Sequence, residues 1–279
     1  MTCSVKVIEA TTYKGKAIYT FQLKYWRAIH GELMTHRMFS RNASSSRAIP
    51  VMKTISQVWN DPAMPVHWGV NQAGMQAKEQ LTGFKLKLVR GLWRLAAKVS
   101  CGFAYTLVKL NLHKQVANRI LEPWQYIHVV LTATEFDNFF ELRDHPDAQP
   151  EFQELARAMK IEMSECFVRE VSGSGVPYRF WHLPYVKVAE RQSYSLDDCI
   201  KFSAARCARV SYATHDGKAP KPEQDFQLYD RLVGSVPRHS SPVEHQAEAS
   251  IDSNVKSKNF VGWIQFRELL EKHNANKPN

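Results

Sequence analysis

The residues best suited to chemistry lie together near the start of the chain, in Thr35-His36-Arg37-Met38-Phe39-Ser40-Arg41-Asn42-Ala43-Ser44-Ser45-Ser46-Arg47. The pattern is H-R-x-x-S-x-N-x-x-S-x-R, with cations, hydroxyls and an amide and no acid. Arginine presents a planar fork of donors that suits phosphate oxygens, and hydroxyls and backbone N–H groups fill the gaps between. The segment therefore reads as an anion-binding one. Taken singly its members carry less: Ser44, Ser45 and Ser46 alone would read as a solvated loop or a helix cap. The weight lies in the joint spacing.

Three more constellations follow. Arg119 sits in Ala117-Asn118-Arg119-Ile120-Leu121-Glu122-Pro123. Asn138-Phe139-Phe140-Glu141-Leu142-Arg143 is followed by Ala148-Gln149 and Glu151. Near the C-terminal end come Cys207-Ala208-Arg209-Val210-Ser211-Tyr212 and His239-Ser240-Ser241-Pro242-Val243-Glu244-His245. Alone, Asn138 and Arg143 would be helix-surface residues and Gln149 a helix cap. Arg209 is equally a candidate for a structural ion pair.

Together these segments resemble the flavin-dependent thymidylate synthases. That family carries R-H-R-x-x-S-x-N-E-x-S-x-R, an A-R-I-V-L-P-like segment, N-F-L-x-L-R-x-x-x-x-A-Q-x-E, A-A-R-V-S-Y and H-T-S-P-F-E-H. The resemblance covers about two-thirds of the chain. It departs at Thr35 (family Arg), Ala43 (family Glu) and Asp147 (family His), with His145 two residues from the last. Segment order departs too: the last two motifs precede the H-R-x-x-S motif in the family and follow it here. This implies a circular permutation, which is physically reasonable because termini often lie close together at the surface.

The resemblance implies roles. Arg143 would be the catalytic residue, stabilising negative charge on a pyrimidine ring as C5 reacts. Glu32, Ser44, Ser45, Ser46, Arg47, Arg119 and Arg143 would bind the nucleotide. His36, Arg37, Asn138, Ser241 and Glu244 would hold FAD. NADPH would be the reductant and methylenetetrahydrofolate the carbon donor, with sites built between subunits of a homotetramer. The implied reaction is dUMP to dTMP. A related methylation or hydroxymethylation, on dCMP or dUMP, stays open because Thr35 and Ala43 alter the base pocket. So does a basic nucleic-acid-binding protein on a relict flavoprotein fold.

Composition bounds these readings. The chain has 279 residues, is 44% hydrophobic and carries a net charge of +10. It can bury a core, and its charge favours an anionic partner without choosing among them. The five cysteines show no C-x-x-C spacing, so neither a zinc site nor a redox pair is signalled. No metal is expected. There is no signal-peptide core and no apolar run long enough to span a membrane, so a cytoplasmic protein with no membrane partner is expected.

The elements that would position these residues are read from periodicity. Residues 4–9 and 17–25 read as a hairpin turning at Lys14-Gly15-Lys16. A helix from Trp26 to Phe39 would deliver His36 and Arg37, with the serines in a following loop. Residues 72–112 read as helical, and 85–98 as a core helix with a basic outer face in preference to a membrane-surface helix. Two helical pieces broken at Pro123 are expected over 114–143. An amphipathic helix is expected over 150–171, its buried face running on to Cys166 and Phe167. Further helices are expected near 196–209, 225–234 and 258–272. The expected fold is α+β, an antiparallel sheet with helices, like the thymidylate synthase-complementing proteins in permuted segment order. It forms one domain: the hairpin and motif at 1–50, a helical region at 51–171, a linker at 172–200 and the permuted segment at 201–279. Ser172-Gly173-Ser174-Gly175 is the expected break.

Overall fold

The computed structural model describes residues 3–171, 180–210 and 221–275. The Ser172–Gly175 break, Ser211-Tyr212 and most of the 217–223 loop lie outside them. The hairpin forms as expected. Strand β1 (Ser4–Tyr13) and β2 (Lys16–Trp26) pair antiparallel, turning through Lys14 and Gly15 at positive φ, 47° and 76°. Such a two-residue turn matches the twist of the strands it joins. The expected Trp26–Phe39 helix is broken. A 3₁₀ turn (Arg27–Ile29) leads into one short turn of helix, α1 (His30–Leu33). Arg41 reaches back to the carbonyls of Leu33 and His36, at 3.0 Å each, which also accept the backbone N–H groups of His36 and Phe39.

The expected serine loop begins as a strand, β3 (Ser40–Ala43). Helix α2 (Val51–Asn60), an irregular 61–82 segment, the long α3 (Gly83–Lys109) and short α4 (Lys114–Ala117) follow. After a 3₁₀ stretch (Asn118–Trp124), the second expected helix over 114–143 gives way to the central strand β4 (Tyr126–Ala133). Its run of Ile, Val, Val, Leu and Thr is short, apolar and rich in β-branched residues, as a strand buried on both faces is. Helices α5 (Asp137–Arg143) and α6 (Pro150–Glu165) come next. Helix α6 ends before Cys166, so Phe167, expected on its buried face, is exposed.

From Phe180 onward the expected linker is instead packed structure. Strand β5 (Arg169–Glu170) precedes it, then β6 (Trp181–His182), α7 (Val188–Ser193) and α8 (Leu196–Arg209). Trp181, His182 and Leu183 are buried because they close the edge of a second sheet. Helix α9 (Pro222–Val233), β7 (Ala247–Ala249), the pair β8 (Lys256–Ser257) and β9 (Phe260–Val261), β10 (Trp263–Gln265) and α10 (Phe266–Ala275) complete the chain. The last helix starts eight residues later than expected, because 256–265 is spent on strands.

The main sheet runs β3-β4-β2-β1-β5, antiparallel except for the β1–β5 pair; the second runs β10-β7-β6. Alternation along β2 and β4 sorts the two faces. Phe21, Leu23, Tyr25, Ile127, Val129 and Leu131 face Phe139, Phe152, Leu155 and Met159 of α5 and α6. Thr20, Val130 and Thr132 face α8 and the C-terminal segment. There the Thr20 hydroxyl meets His182 Nε2 and Thr132 Oγ1 at 2.7 Å each, and Thr132 Oγ1 meets His245 Nδ1 at 2.8 Å. His182 Nδ1 meets Thr11 Oγ1 at 3.0 Å.

Helix α8 is clamped to α9 by a buried carboxylate. Fully buried Asp225 accepts Arg206 Nε and Arg209 Nη2, both at 2.8 Å, and Arg206 also holds Glu190. Arg209 is thus an ion-pair residue. Asp225→Ala would leave two guanidinium groups short of a partner. It should cost about 3–5 kcal/mol of stability, read as a lowered urea midpoint.

Candidate functional site around Arg143

The last residue of α5, Arg143, lies where two cavities meet. One, about 420 Å³, is lined by His36, Arg37, Asp137 and Asn138 among others; the other, about 1060 Å³, by Glu32, His145, Gln149 and the 65–77 segment. Arg143 is fixed on three sides. Its Nε donates to His36 Nε2 at 2.9 Å, its Nη1 pairs with the Glu32 carboxylate, and its guanidinium lies 4.9 Å from the centre of the Phe152 ring. Because His36 Nε2 accepts, its proton resides on Nδ1. His36 is buried and stacked on Phe39 at 5.8 Å. Burial, with help from Arg143 and Arg41, pushes its pKa down to about 4. It is a neutral acceptor at physiological pH, which suits a residue that must hold a guanidinium.

Arg37 and Asn138 are exposed on the smaller cavity, so both amide and guanidinium donors are available there. The larger cavity is walled by the irregular segment, which sequence reading had taken as partly helical. Glu151 secures it. This buried carboxylate accepts the Val66 N–H at 2.9 Å and the Gln149 amide at 3.0 Å. Gln76 donates to the Asp147 carbonyl across the cavity rim. Gln149 is therefore part of the wall and its side chain does not cap α6.

The other expected site residues fall into separate groups. Along Ser40–Arg47 burial alternates with period two. Ser44 and Ser46 turn inward and are spent on structure: Ser44 Oγ accepts the His128 N–H at 3.1 Å, and Ser46 Oγ donates to Glu122 at 2.9 Å. Ser45 and Arg47 turn outward and line a third cavity, about 400 Å³, with Asn42, His239 and Ser241. Ser241 Oγ lies 3.3 Å from Asn42 Oδ1, and Asn42 Nδ2 donates to the Cys207 carbonyl at 3.0 Å. Arg119 is held by Glu122 at 2.9 Å, beside Arg27 on the same carboxylate. Glu244 pairs with Arg267 of α10. The structure thus unites Glu32, His36, Arg37, Asn138 and Arg143. It unites Ser45, Arg47 and Ser241 elsewhere, and ties Arg119 and Glu244 to partners of their own.

Sequence assigned no site role to Arg41, Phe152, Glu122, Glu151 and Arg267. Arg41, Glu122 and Glu151 had a signal, their places inside the motifs. Phe152 and Arg267 act through contacts that no motif marks. Among the described residues, no group of three or more His, Cys, Asp or Glu is able to ligate a metal, and no helix is long and apolar enough to cross a membrane.

Comparison with known proteins fits this geometry. Residues 15–167, which hold β2 to α6 and the Arg143 site, match the family described as thymidylate synthase complementing protein. The chain belongs to that family, whose members are enzymes. No curated protein matches the chain. Among solved structures, it is similar to the UMP/dUMP methylase PolB from Streptomyces cacaoi bound with 5-Br dUMP: TM-score 0.47, 16% identity, covering 58% of this chain and 90% of that one. It is also similar to the flavin-dependent thymidylate synthase ThyX from Helicobacter pylori complexed with FAD and dUMP: TM-score 0.35, 23% identity, covering 52% and 67%.

Three more histidines share the protonation state of His36. Burial holds His30 and His182 near 4 as well, and His245 near 3. An unfolded histidine titrates near 6.5. Below that pH the unfolded chain binds protons that the native one refuses, so stability is full above about pH 6.5 and is lost as pH falls toward 4. Glu248, raised by burial, opposes them with one proton. Melting temperature should therefore decline from about pH 6.5 downward, ahead of the carboxylate range. A flat profile down to about pH 5 would show that the native protein protonates these rings.

Proposed function

We propose that this protein transfers a one-carbon unit to C5 of a pyrimidine deoxynucleotide, converting dUMP to dTMP. Methylenetetrahydrofolate is the carbon donor, FAD the bound cofactor and NADPH the reductant. The observation that carries this reading is the fixed guanidinium of Arg143 at the junction of two cavities. Its Nε and Nη1 are engaged by His36 and Glu32, while Nη2 has no partner among the described residues. A ring carbonyl placed there would be polarised, and charge developing on it would meet a preorganised donor. The volumes suit the ligands, since small-molecule sites usually span roughly 300–1,000 Å³.

The cofactor fits the smaller cavity by its donor set. Arg37 and Asn138 offer an exposed guanidinium and amide for pyrophosphate and ring edges, and His36 supplies a neutral wall. When bound, FAD supplies the hydride chemistry that no side chain can. The chain's own part is to bind, orient and exclude water. Ser45 and Arg47 offer a hydroxyl and a cation to a phosphate, yet one protomer keeps them in a different cavity from Arg143. This supports a site completed by a second subunit, as in a homotetramer. In the same reading the segment at 201–279 is a permuted piece of the family fold. Its Cys207, Ser241 and His245 meet Asn42 and Thr132 of the family-matching core.

One observation favours a second substrate, dCMP. Glu32 places a carboxylate in the larger cavity, and a carboxylate accepts from the exocyclic amine of cytosine. Product analysis with dUMP and dCMP side by side separates the two and distinguishes methyl from hydroxymethyl. Before that, the purified protein should show flavin absorption that survives gel filtration. A colourless protein that binds nucleic acid with steep salt dependence would put the relict-fold reading first.

Two substitutions test the assignment of roles. Arg143→Ala should lower turnover about 10²–10³-fold, the usual effect of losing one donor to developing charge, while FAD stays bound. Arg37→Ala should release the flavin. The reverse pattern would mean the two cavities have been assigned the wrong way round.

A further inference from the structure

Helix α3 is built inside out. Its 27 residues span about 40 Å at 1.5 Å per residue. It packs on α2 and the Asn118–Trp124 stretch through Ala97, Cys101 and Ala104, with Trp93, Leu107 and Val108 half-buried beside them. Six other large apolar residues point the other way. Phe84, Leu88, Leu92, Leu95, Val99 and Phe103 are 50–79% exposed. They recur every three or four residues, so they form one ridge opposite the buried face. The expected basic outer face is therefore apolar along its centre. Its cations are all exposed: Lys87, Arg94, Lys98 and Lys109 run along one side of the ridge, Lys85 lies on the other and Arg90 away from it, and the helix contains no acid.

We propose that this face docks on the surface of a bilayer containing anionic phospholipid, with α3 lying in the interface plane. An apolar ridge flanked by cations is what such a surface binds. The ridge enters the acyl boundary while Lys and Arg extend to the headgroup phosphates. Charge decides against the alternatives. Two copies paired along α3 would bring twelve cations together with no acid between them, which repels. A nucleic-acid backbone would meet apolar side chains where it needs donors.

The test is vesicle co-sedimentation of the full chain. Vesicles of phosphatidylcholine with about one-third phosphatidylglycerol should capture the protein, less so as salt rises, and pure phosphatidylcholine should not. L92E/L95E changes exposed residues only. It should melt like the parent yet lose capture. K85Q/K87Q/R94Q should weaken it about fivefold per cation, on the order of a hundredfold in all. Failure of the parent chain to bind anionic vesicles, or equal binding to neutral ones, would overturn the proposal. So would light scattering that finds a smaller particle for L92E/L95E than for the parent, which would assign the ridge to a second copy. Flavin binding and turnover are read separately, so neither result depends on the reaction proposed above.

Discussion

The pairing of β2 with β4 is the constraint on which the rest depends. Eight residue pairs in antiparallel register, from Tyr19 with Ala133 to Trp26 with Tyr126, join strands a hundred or more residues apart in sequence. Because side chains alternate, that register also decides what each face is made of. A shift of β2 by one residue against β4 would put Thr20 against the phenylalanines of α5 and α6, and Phe21 against the histidines. Both layers would be lost together.

The site inherits its geometry from this register. Because β2 and β4 run antiparallel, α1 and α5 leave the sheet from opposite ends and meet over the face that carries Phe21 and Leu131. Glu32 and His36 therefore meet Arg143 although they are 111 and 107 residues away in sequence. Strand β3, hydrogen-bonded to the other side of β4, carries Ser45 and Arg47 away from them. One sheet thus sets two groups of ligand-type residues on separate surfaces.

Much of this was legible beforehand. The H-R-x-x-S-x-N-x-x-S-x-R spacing pointed to the family before any fold was known, and the alternation of Tyr19, Phe21 and Leu23 gave the hairpin. Helix α8 falls where its pattern placed it, at 196–209. What could not be read follows from physics that acts at a distance. Strand β4 was hidden because a strand buried on both faces loses its alternation. The fate of Ser44 and Ser46 depended on a strand starting at Ser40, which no local propensity demanded. The turn after α1 is held by Arg41, a long-armed side chain that donates to the Leu33 and His36 carbonyls from outside. The outward apolar ridge of α3 ran against the ordinary assumption that large apolar residues face in.

The threonines and histidines between the sheet and α8 have a collective property. Thr11, His182, Thr20, Thr132 and His245 form a series in which every link holds one proton, with Thr11 at its end also in reach of Glu9 and Arg169. Each neutral ring and each hydroxyl has one hydrogen to give, so the series has two complete orderings, one running each way. If Thr11 donates to His182, every later link points toward His245, whose Nε2 then bears a hydrogen. If His182 donates to Thr11, all the links reverse and that nitrogen becomes an acceptor. The polarity of one atom at the C-terminal segment is thereby set by the orientation of a hydroxyl on β1, with no net charge and no movement of the backbone.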